Sequence, residues 1–350
     1  MEAVRWHGPG DVRLDEVELT LPLGPGMVEA EVRFCGICGS DVAEYRKPFA
    51  IRPGRPHPLT GQEPPVTLGH EFSAVVTAVG EGVSEVAVGD RVSADACWRC
   101  GVCEACVSGR YNLCRLSGSI GLSSDGGFAP LVRFPAYCAV PLPAGVSDKV
   151  GALLEPLAVA LHALDRGGAR PGERLVVIGY GPIGACTALV ARAVGLEPLV
   201  VELHPGRRAR AEAEGFATLE PAGEPREVAK TVRGMSAGGA EVVVDCSGAV
   251  PALEAALEMT TRGGRIVVAG IPKQPLPVDA GRMVLYERTL TATLGYANDL
   301  PRVAAMIAAG NLKPESTITR RAPLAETPAE IERLATDPGD DVKVLIEVGA

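Results

Sequence analysis

The sequence predicts an α/β protein of two domains, one β-rich and one built on a doubly wound parallel sheet, and three observations carry that prediction. The chain has 350 residues, which at about 150 residues per domain suggests two. Residues 1 to about 150 are rich in glycine, proline and β-branched residues, with short apolar runs broken by Gly-Glu-Gly and Gly-Asp turns. From Leu153 the texture changes to alanine-rich stretches alternating with apolar runs, the order that lays parallel strands side by side beneath covering helices.

Within the first part, Val28–Phe34 and Phe72–Val79 read as strands. The stretch Lys47–Pro65, dense in proline and glycine, predicts a long loop of the kind that serves as a lid or binding surface. In the second part the pattern predicts helices at Leu153–Leu164, Ile183–Val194, Pro205–Glu214 and Pro251–Met259. The intervening strands are predicted at Arg174–Ile178, Pro198–Val201, Glu241–Val244 and Arg265–Ala269. After Leu290 one helix, Leu300–Ala309, and a closing strand, Val342–Val348, are assigned back to the first domain. The expected domains are therefore 1–152 with 291–350, and 153–290.

Hydrophobic residues make up 47% of the chain and charged residues 22%, a globular balance, and no apolar run reaches the ~18 residues that would suggest a membrane span. The formal net charge is −9 and no lysine/arginine block occurs, which argues against nucleic acid and anionic membrane as partners and leaves a small neutral or cationic ligand. The start Met1-Glu2-Ala3-Val4-Arg5-Trp6 has neither an apolar signal core nor a basic, serine-rich pattern, so a cytoplasmic protein is expected.

Leu175-Val176-Val177-Ile178 runs into Gly179-Tyr180-Gly181-Pro182-Ile183-Gly184 and then an alanine-rich helix. This strand–turn–helix setting gives GxGxxG its meaning in a Rossmann domain. Gly179 permits the tight turn, Gly181 admits a pyrophosphate to the backbone and Gly184 allows close helix–strand packing, while the helix N-terminus attracts the anion. Eighteen positions beyond Gly184, Glu202 ends the next apolar run, where a carboxylate accepts the adenosine ribose hydroxyls and repels a 2′-phosphate. NAD is expected over NADP, although Arg207 and Arg208 follow closely and a guanidinium there would accept that phosphate; a solvated helix start is the reading preferred for the two arginines. A plain surface carboxylate is the alternative for Glu202.

Cys100, Cys103, Cys106 and Cys114 fall within fifteen residues, a spacing at which four thiolates converge on one structural zinc in a lobe at about 95–116. Disulfides or idle thiols are the alternative, disfavoured in a reducing compartment. Cys97 offers a second quartet with Cys100, Cys103 and Cys106; the longer spacer before Cys114 favours the first. Elsewhere, Cys38-Gly39-Ser40-Asp41, Gly69-His70-Glu71 and Leu154-Glu155-Pro156 supply a thiolate, an imidazole and two carboxylates. Three such ligands and one open position are what a catalytic zinc requires.

Val66-Thr67-Leu68-Gly69-His70-Glu71-Phe72, the four-cysteine lobe and the nucleotide motif occur in an order that resembles the zinc-dependent medium-chain dehydrogenases/reductases, with Ala74 where relatives usually have glycine. Pro56-His57-Pro58-Leu59-Thr60-Gly61, Leu154 to Ala163 and Thr293-Leu294-Gly295-Tyr296 are most similar to the 2,3-butanediol and sorbitol dehydrogenases of that family. The resemblance runs essentially end to end. It implies a GroES-like catalytic domain beside the Rossmann domain, two zinc ions per chain, and a homodimer or homotetramer. It also implies Cys38, His70 and a carboxylate as catalytic zinc ligands, with Glu71 and Glu155 able to exchange as ligand or as partner of the bound water.

The implied reaction interconverts a secondary alcohol or vicinal diol and its ketone, with hydride passing to NAD and Ser40 taking the alcohol proton. Relatives commonly carry histidine where this chain has Ala43, so the proton relay must use water, the ribose and Glu44, or the enzyme mainly reduces, or the substrate brings its own acid–base group. Pro130-Leu131 replaces a usual Glu-Tyr and reshapes a pocket wall. A larger polyol or cyclitol is the other substrate class, and a non-catalytic NAD-binding protein on the same scaffold is the reading from another class. His57 is placed at the substrate entrance or in a turn, His162 in the interior, and Asp245-Cys246-Ser247-Gly248 at a strand end that either touches the nicotinamide or simply terminates. Cys35, Cys138, Cys186 and Cys246 read as small buried hydrophobes.

Overall fold

In the computed structural model, which describes residues 1–349, the chain crosses between two units at Pro156/Leu157 and again at Asp299/Leu300. Both are α/β in the sense expected, one dominated by antiparallel strands and one by a parallel sheet.

In the first unit the strand Met27–Gly36 is the hub. It pairs antiparallel with Glu71–Val79, with Leu131–Pro135 and with the closing strand Lys343–Glu347. Alternation explains why: Val28, Ala30 and Val32 are fully buried while the residues between them are partly exposed. Opposite them Phe72 packs edge-to-face on Phe134, ring centroids 5.6 Å apart, and burying each such ring stabilises the sheet by about 1.5–3 kcal/mol. The register then decides the chemistry. Gly36 lies opposite both Glu71 and Leu345, so the start of Glu71–Val79 and the closing strand flank the same glycine from its two sides.

After residue 300 the unit contains more than the one helix and one strand that patterning predicts. A strand Ile318–Pro323 and a helix Thr327–Thr336 also form. The strand carries Arg320 and Arg321 in its middle, so its apolar signal is weak, and parallel pairing with Lys343–Glu347 holds it in the sheet.

The second unit is a six-stranded parallel sheet in the order Ala217–Leu219, Glu197–Val201, Arg174–Ile178, Ala240–Asp245, Thr260–Val268, Thr289–Ala292. Strand order reverses beside Arg174–Ile178, and ligands of such sheets bind at that switch point, at the carboxyl ends of the strands. Val176, Val177, Val243, Val244 and Ile266 are buried to 1% exposure or less, as in a sheet covered on both faces. The two edge strands escaped the sequence reading because they span only three and four residues. The sixth runs past residue 290 because Val268 pairs with Ala292, and the unit continues to Asp299.

Candidate active site and metal centres

Cys38 immediately precedes the helix Gly39–Arg46, and its backbone N–H donates to Asp41 Oδ2 at 2.9 Å, fixing the first turn. His70 follows Gly69, whose φ of +96° turns the chain; a Cβ there would meet Cys35 Sγ at 2.8 Å and the Phe128 nitrogen at 2.9 Å. Only glycine allows that turn against so close a neighbour. The result brings one ligand atom each of Cys38, His70 and Glu71 within 4.8 Å of one another.

Around His70 the charges are lopsided. Burial opposes protonation of the imidazole, but the negative neighbours Asp41, Cys38 and Glu155 outweigh it and hold its pKa well above the ordinary value. Asp41 Oδ1 and His70 Nδ1 lie 3.6 Å apart, and both are buried without a hydrogen-bond partner. Burial pushes the Asp41 carboxyl upward, against the pull of His70. Buried acceptors with surplus negative charge call for a cation, and the soft-sulfur, imidazole and carboxylate set suits zinc.

The two carboxylates differ in what holds them. Glu71 is fully buried and both of its oxygens accept from Lys343 Nζ, at 2.8 and 2.5 Å. Lys343 also donates to the Ile37 carbonyl at 3.1 Å. Glu155 begins the helix Leu154–Arg166 and is 8% exposed; it stands near enough to act on His70 but outside the converging trio. Sequence reading missed Lys343, since a lysine in an apolar strand signals its partner only once the register is known. Ser40 Oγ lies 3.1 Å from His70 Nε2. Glu44 Oε1 accepts the N–H groups of Phe49, Ala50 and Ile51.

The second cluster is the cysteine lobe. Cys100, Cys103, Cys106 and Cys114 bring their sulfurs within 4.8 Å of one another, with Cys103 to Cys106 at 3.5 Å and Cys100 to Cys106 at 3.9 Å. A tetrahedron with Zn–S bonds of about 2.3 Å has edges of about 3.8 Å, so the donors match zinc in size. The N–H groups of Cys106 and Arg115 hold the Cys103 thiol down to about 6, and those of Val102 and Cys103 lower Cys100. Desolvation and the Cys103 sulfur raise Cys106 to about 12. Cys97 stands apart in the strand Cys97–Trp98, its thiol raised by burial. The Arg99 guanidinium fastens the lobe, lying 4.0 Å from the Tyr111 ring centroid, 4.3 Å from that of Tyr137, and 3.1 Å from Asp95.

In the second unit, Gly179 has φ +89°, and a Cβ on Gly184 would fall 1.8 Å from the Gly179 carbonyl oxygen. A Cβ on Gly181 would meet only the Arg207 guanidinium, at 3.7 Å, leaving the backbone open to approach. Gly181 caps the helix Pro182–Ala193, with Pro182 in the first turn and Ile183 after it. Glu202 is buried, and its two oxygens accept the N–H groups of Tyr180 and His204. The Nε of Arg207 is buried without a hydrogen-bond partner, and its Nη1 is the atom that faces Gly181. Arg208 donates to the carbonyls of Glu202 and Leu203 and pairs with Glu220. Asp245 accepts from Ser247 and Gly248 and so closes its own turn. His162 contacts Asp299 at 3.0 Å, and His57 contacts the Ser117 carbonyl at 3.2 Å.

A doubly wound sheet with a glycine turn at its switch point, and a unit whose thiolate, imidazole and carboxylate converge, define a dinucleotide-dependent oxidoreductase of the metal-using kind. Residues 24–144 match the alcohol dehydrogenase GroES-like domain, and residues 182–309 match the zinc-binding dehydrogenase domain. The chain is 33% identical over 349 residues to the (R,R)-butanediol dehydrogenase of Bacillus subtilis (strain 168), covering 99% of each. It is 33% identical to the sorbitol dehydrogenase of Rattus norvegicus, over 97% of this chain and 94% of that one. Among solved structures, the 2R,3R-butanediol dehydrogenase from Bacillus subtilis superposes with a TM-score of 0.91 at 33% identity, covering 99% of each chain. A zinc-binding dehydrogenase from Sinorhizobium meliloti 1021 bound to NADP gives 0.89 at 31%, covering 99% of this chain and 98% of that one. The chain belongs to the zinc-dependent medium-chain dehydrogenase/reductase family.

Proposed function

We propose that this enzyme interconverts a secondary alcohol or vicinal diol of the 2,3-butanediol type and its ketone, using NAD and two zinc ions per chain. The observation that carries the proposal is the convergence of Cys38, His70 and Glu71 within 4.8 Å in a chain 33% identical, end to end, to a butanediol dehydrogenase. When bound, the catalytic zinc lowers the pKa of the alcohol as it does that of water and the nicotinamide accepts the hydride.

The chain's own residues do the rest. Cys38 and His70 hold the metal, with Glu71 and Glu155 as alternative carboxylates, and Lys343 restrains Glu71. The Ser40 hydroxyl, beside His70 Nε2, takes the alcohol proton. Cys100, Cys103, Cys106 and Cys114 hold the structural zinc. Gly179, Gly181, Pro182, Ile183 and Gly184 form the pyrophosphate cradle, and Glu202, oriented by two backbone donors, binds the ribose hydroxyls through its remaining lone pairs. The Arg207 guanidinium, beside Gly181, would contact cofactor phosphate, a role its nearness to that glycine supports. A larger polyol is the second substrate reading, supported by the likeness to sorbitol dehydrogenase.

We place the enzyme in the cytoplasm, since Cys38 and the four-cysteine lobe are grouped to hold metal as thiolates, a use of cysteine that a reducing compartment favours. It works as a homo-oligomer on small-molecule substrates. The test is a panel of 2,3-butanediol stereoisomers, sorbitol and inositol with NAD or NADP, read by reduced-cofactor absorbance on protein whose zinc content has been measured. Turnover of a diol with two zinc ions per chain is expected, and Cys38→Ser should abolish it while leaving NADH affinity intact. A fully zinc-loaded chain inert to the whole panel sinks the reading, and a higher kcat/KM with NADP overturns the cofactor preference.

A further inference from the structure

Glu44 is a fully buried carboxylate to which the reaction proposed above assigns no step. It sits on the helix Gly39–Arg46, which also carries Ser40 and Asp41. Its Oε1 accepts three consecutive backbone N–H groups, from Phe49 at 3.3 Å, Ala50 at 2.7 Å and Ile51 at 3.4 Å. Successive amides pointing at one centre form the kind of concave donor cradle that captures anions. Here the anion is a side chain of the same segment. Its Oε2 is buried with no partner, and burial pushes the carboxyl upward against the pull of the three amides. A half-satisfied buried carboxylate stabilises a fold poorly compared with an apolar side chain of the same shape, so its contribution has to be sought in the segment it orders.

That segment is the start of the loop 47–65. Ile51 is buried at 4% exposure, while Phe49 stands 52% exposed. The helix end is itself fixed, since Trp6 Nε1 donates to the Glu44 carbonyl at 2.9 Å and the Gly10 N–H donates to the Tyr45 carbonyl at 2.7 Å. The far end of the loop is tied to residues 117–125. Asp125 N–H donates to Gln62 Oε1 at 2.8 Å, Gln62 Nε2 donates to Asp125 Oδ2 at 3.0 Å, and Thr60 donates to the Ser123 carbonyl. Those residues lead into Gly127, whose N–H donates to the Gly69 carbonyl at 2.8 Å, next to His70. The loop thus bridges the helix of Ser40 and the turn of His70, with Glu44 as its near anchor.

We infer that Glu44 is a positioning residue that fixes the loop 47–65 as the substrate-side wall of the site, in place of the proton-relay role its sequence position suggests. The inference rests on the alcohol–ketone reaction proposed above. A glutamine at 44 keeps an oxygen acceptor for the amides but cannot carry a proton onward; a leucine keeps volume and loses the acceptor.

The zinc-loaded full chain is compared as wild type, Glu44→Gln and Glu44→Leu by amide hydrogen exchange at residues 49–51 and by steady-state oxidation of 2,3-butanediol with NAD. Glu44→Leu should accelerate exchange by about tenfold or more and raise KM for the diol by about tenfold, with kcat within about threefold and NADH affinity and zinc content as in wild type. Glu44→Gln should restore most of both. Unchanged exchange in the leucine variant, or loss of kcat in the glutamine variant with its exchange protected, overturns the inference. If the leucine variant does not fold, Ala50→Pro removes the shortest of the three donors without touching the helix, and an unchanged KM there overturns it equally. A wild-type chain that oxidises neither 2,3-butanediol nor sorbitol refutes the reaction, and with it the wall's substrate role, while the exchange data still decide whether Glu44 anchors the loop.

Discussion

A lysine with 1% of its side chain exposed, as at Lys343, persists only beside a counter-charge, and here that charge is Glu71. Removing one member of a buried pair strands the other, which costs about 3–5 kcal/mol. Lys343→Met should therefore lower the thermal midpoint sharply, and adding Glu71→Gln should recover much of the loss; an unaltered melting curve for the single variant would contradict the pairing. His70 sets a pH dependence. Its folded pKa is raised, so in metal-free protein its protonation adds stability that is fully present below the ordinary imidazole value and lost as pH rises through the folded pKa. A metal must displace that proton, so zinc affinity, followed by competition with a chromophoric chelator, should strengthen as pH rises. Affinity that is flat or falls with pH would rule out His70 as a ligand.

At the scale of elements, the glycine turn and the cysteine lobe were legible because each is local. The turn needs φ +89° at Gly179, and Gly184 has no room for a Cβ against the Gly179 carbonyl. Gly184→Ala forces a backbone shift in the cradle, and NADH binding measured by fluorescence should weaken at least about tenfold while the zinc content stays constant. The lobe places four thiols within fifteen residues, so its convergence depends little on the rest of the chain. Edge strands were illegible for the opposite reason. Ala217–Leu219 and Thr289–Ala292 are too short to show a period and exist because a longer neighbour supplies their hydrogen bonds.

For the whole molecule, the parallel sheet ends at Thr289–Ala292, one side of which pairs with no other strand among the described residues. Nearby in sequence, Ile271, Val284 and Leu285 are 77%, 76% and 75% exposed. Open edges and large exposed apolar side chains are features that association covers. If the homo-oligomer proposed above forms through this edge, Val284→Glu with Leu285→Glu should shift its mass toward that of a monomer in light scattering coupled to size exclusion. An unshifted mass would direct the search for the interface elsewhere.

The sequence by itself determined the two-part architecture, the nucleotide turn and the four-cysteine lobe, because period, glycine placement and short cysteine spacings act over a few turns of chain. It also named Cys38, His70, Glu71 and Glu155, though not how they share the work. Only the tertiary structure decided that Glu71 is held by a lysine 272 residues away, that Glu44 accepts the amides of the loop after it, and that Arg207 lies beside Gly181. Those outcomes depend on strand register and on the loss of water around buried charges, and neither is written in any local stretch of residues.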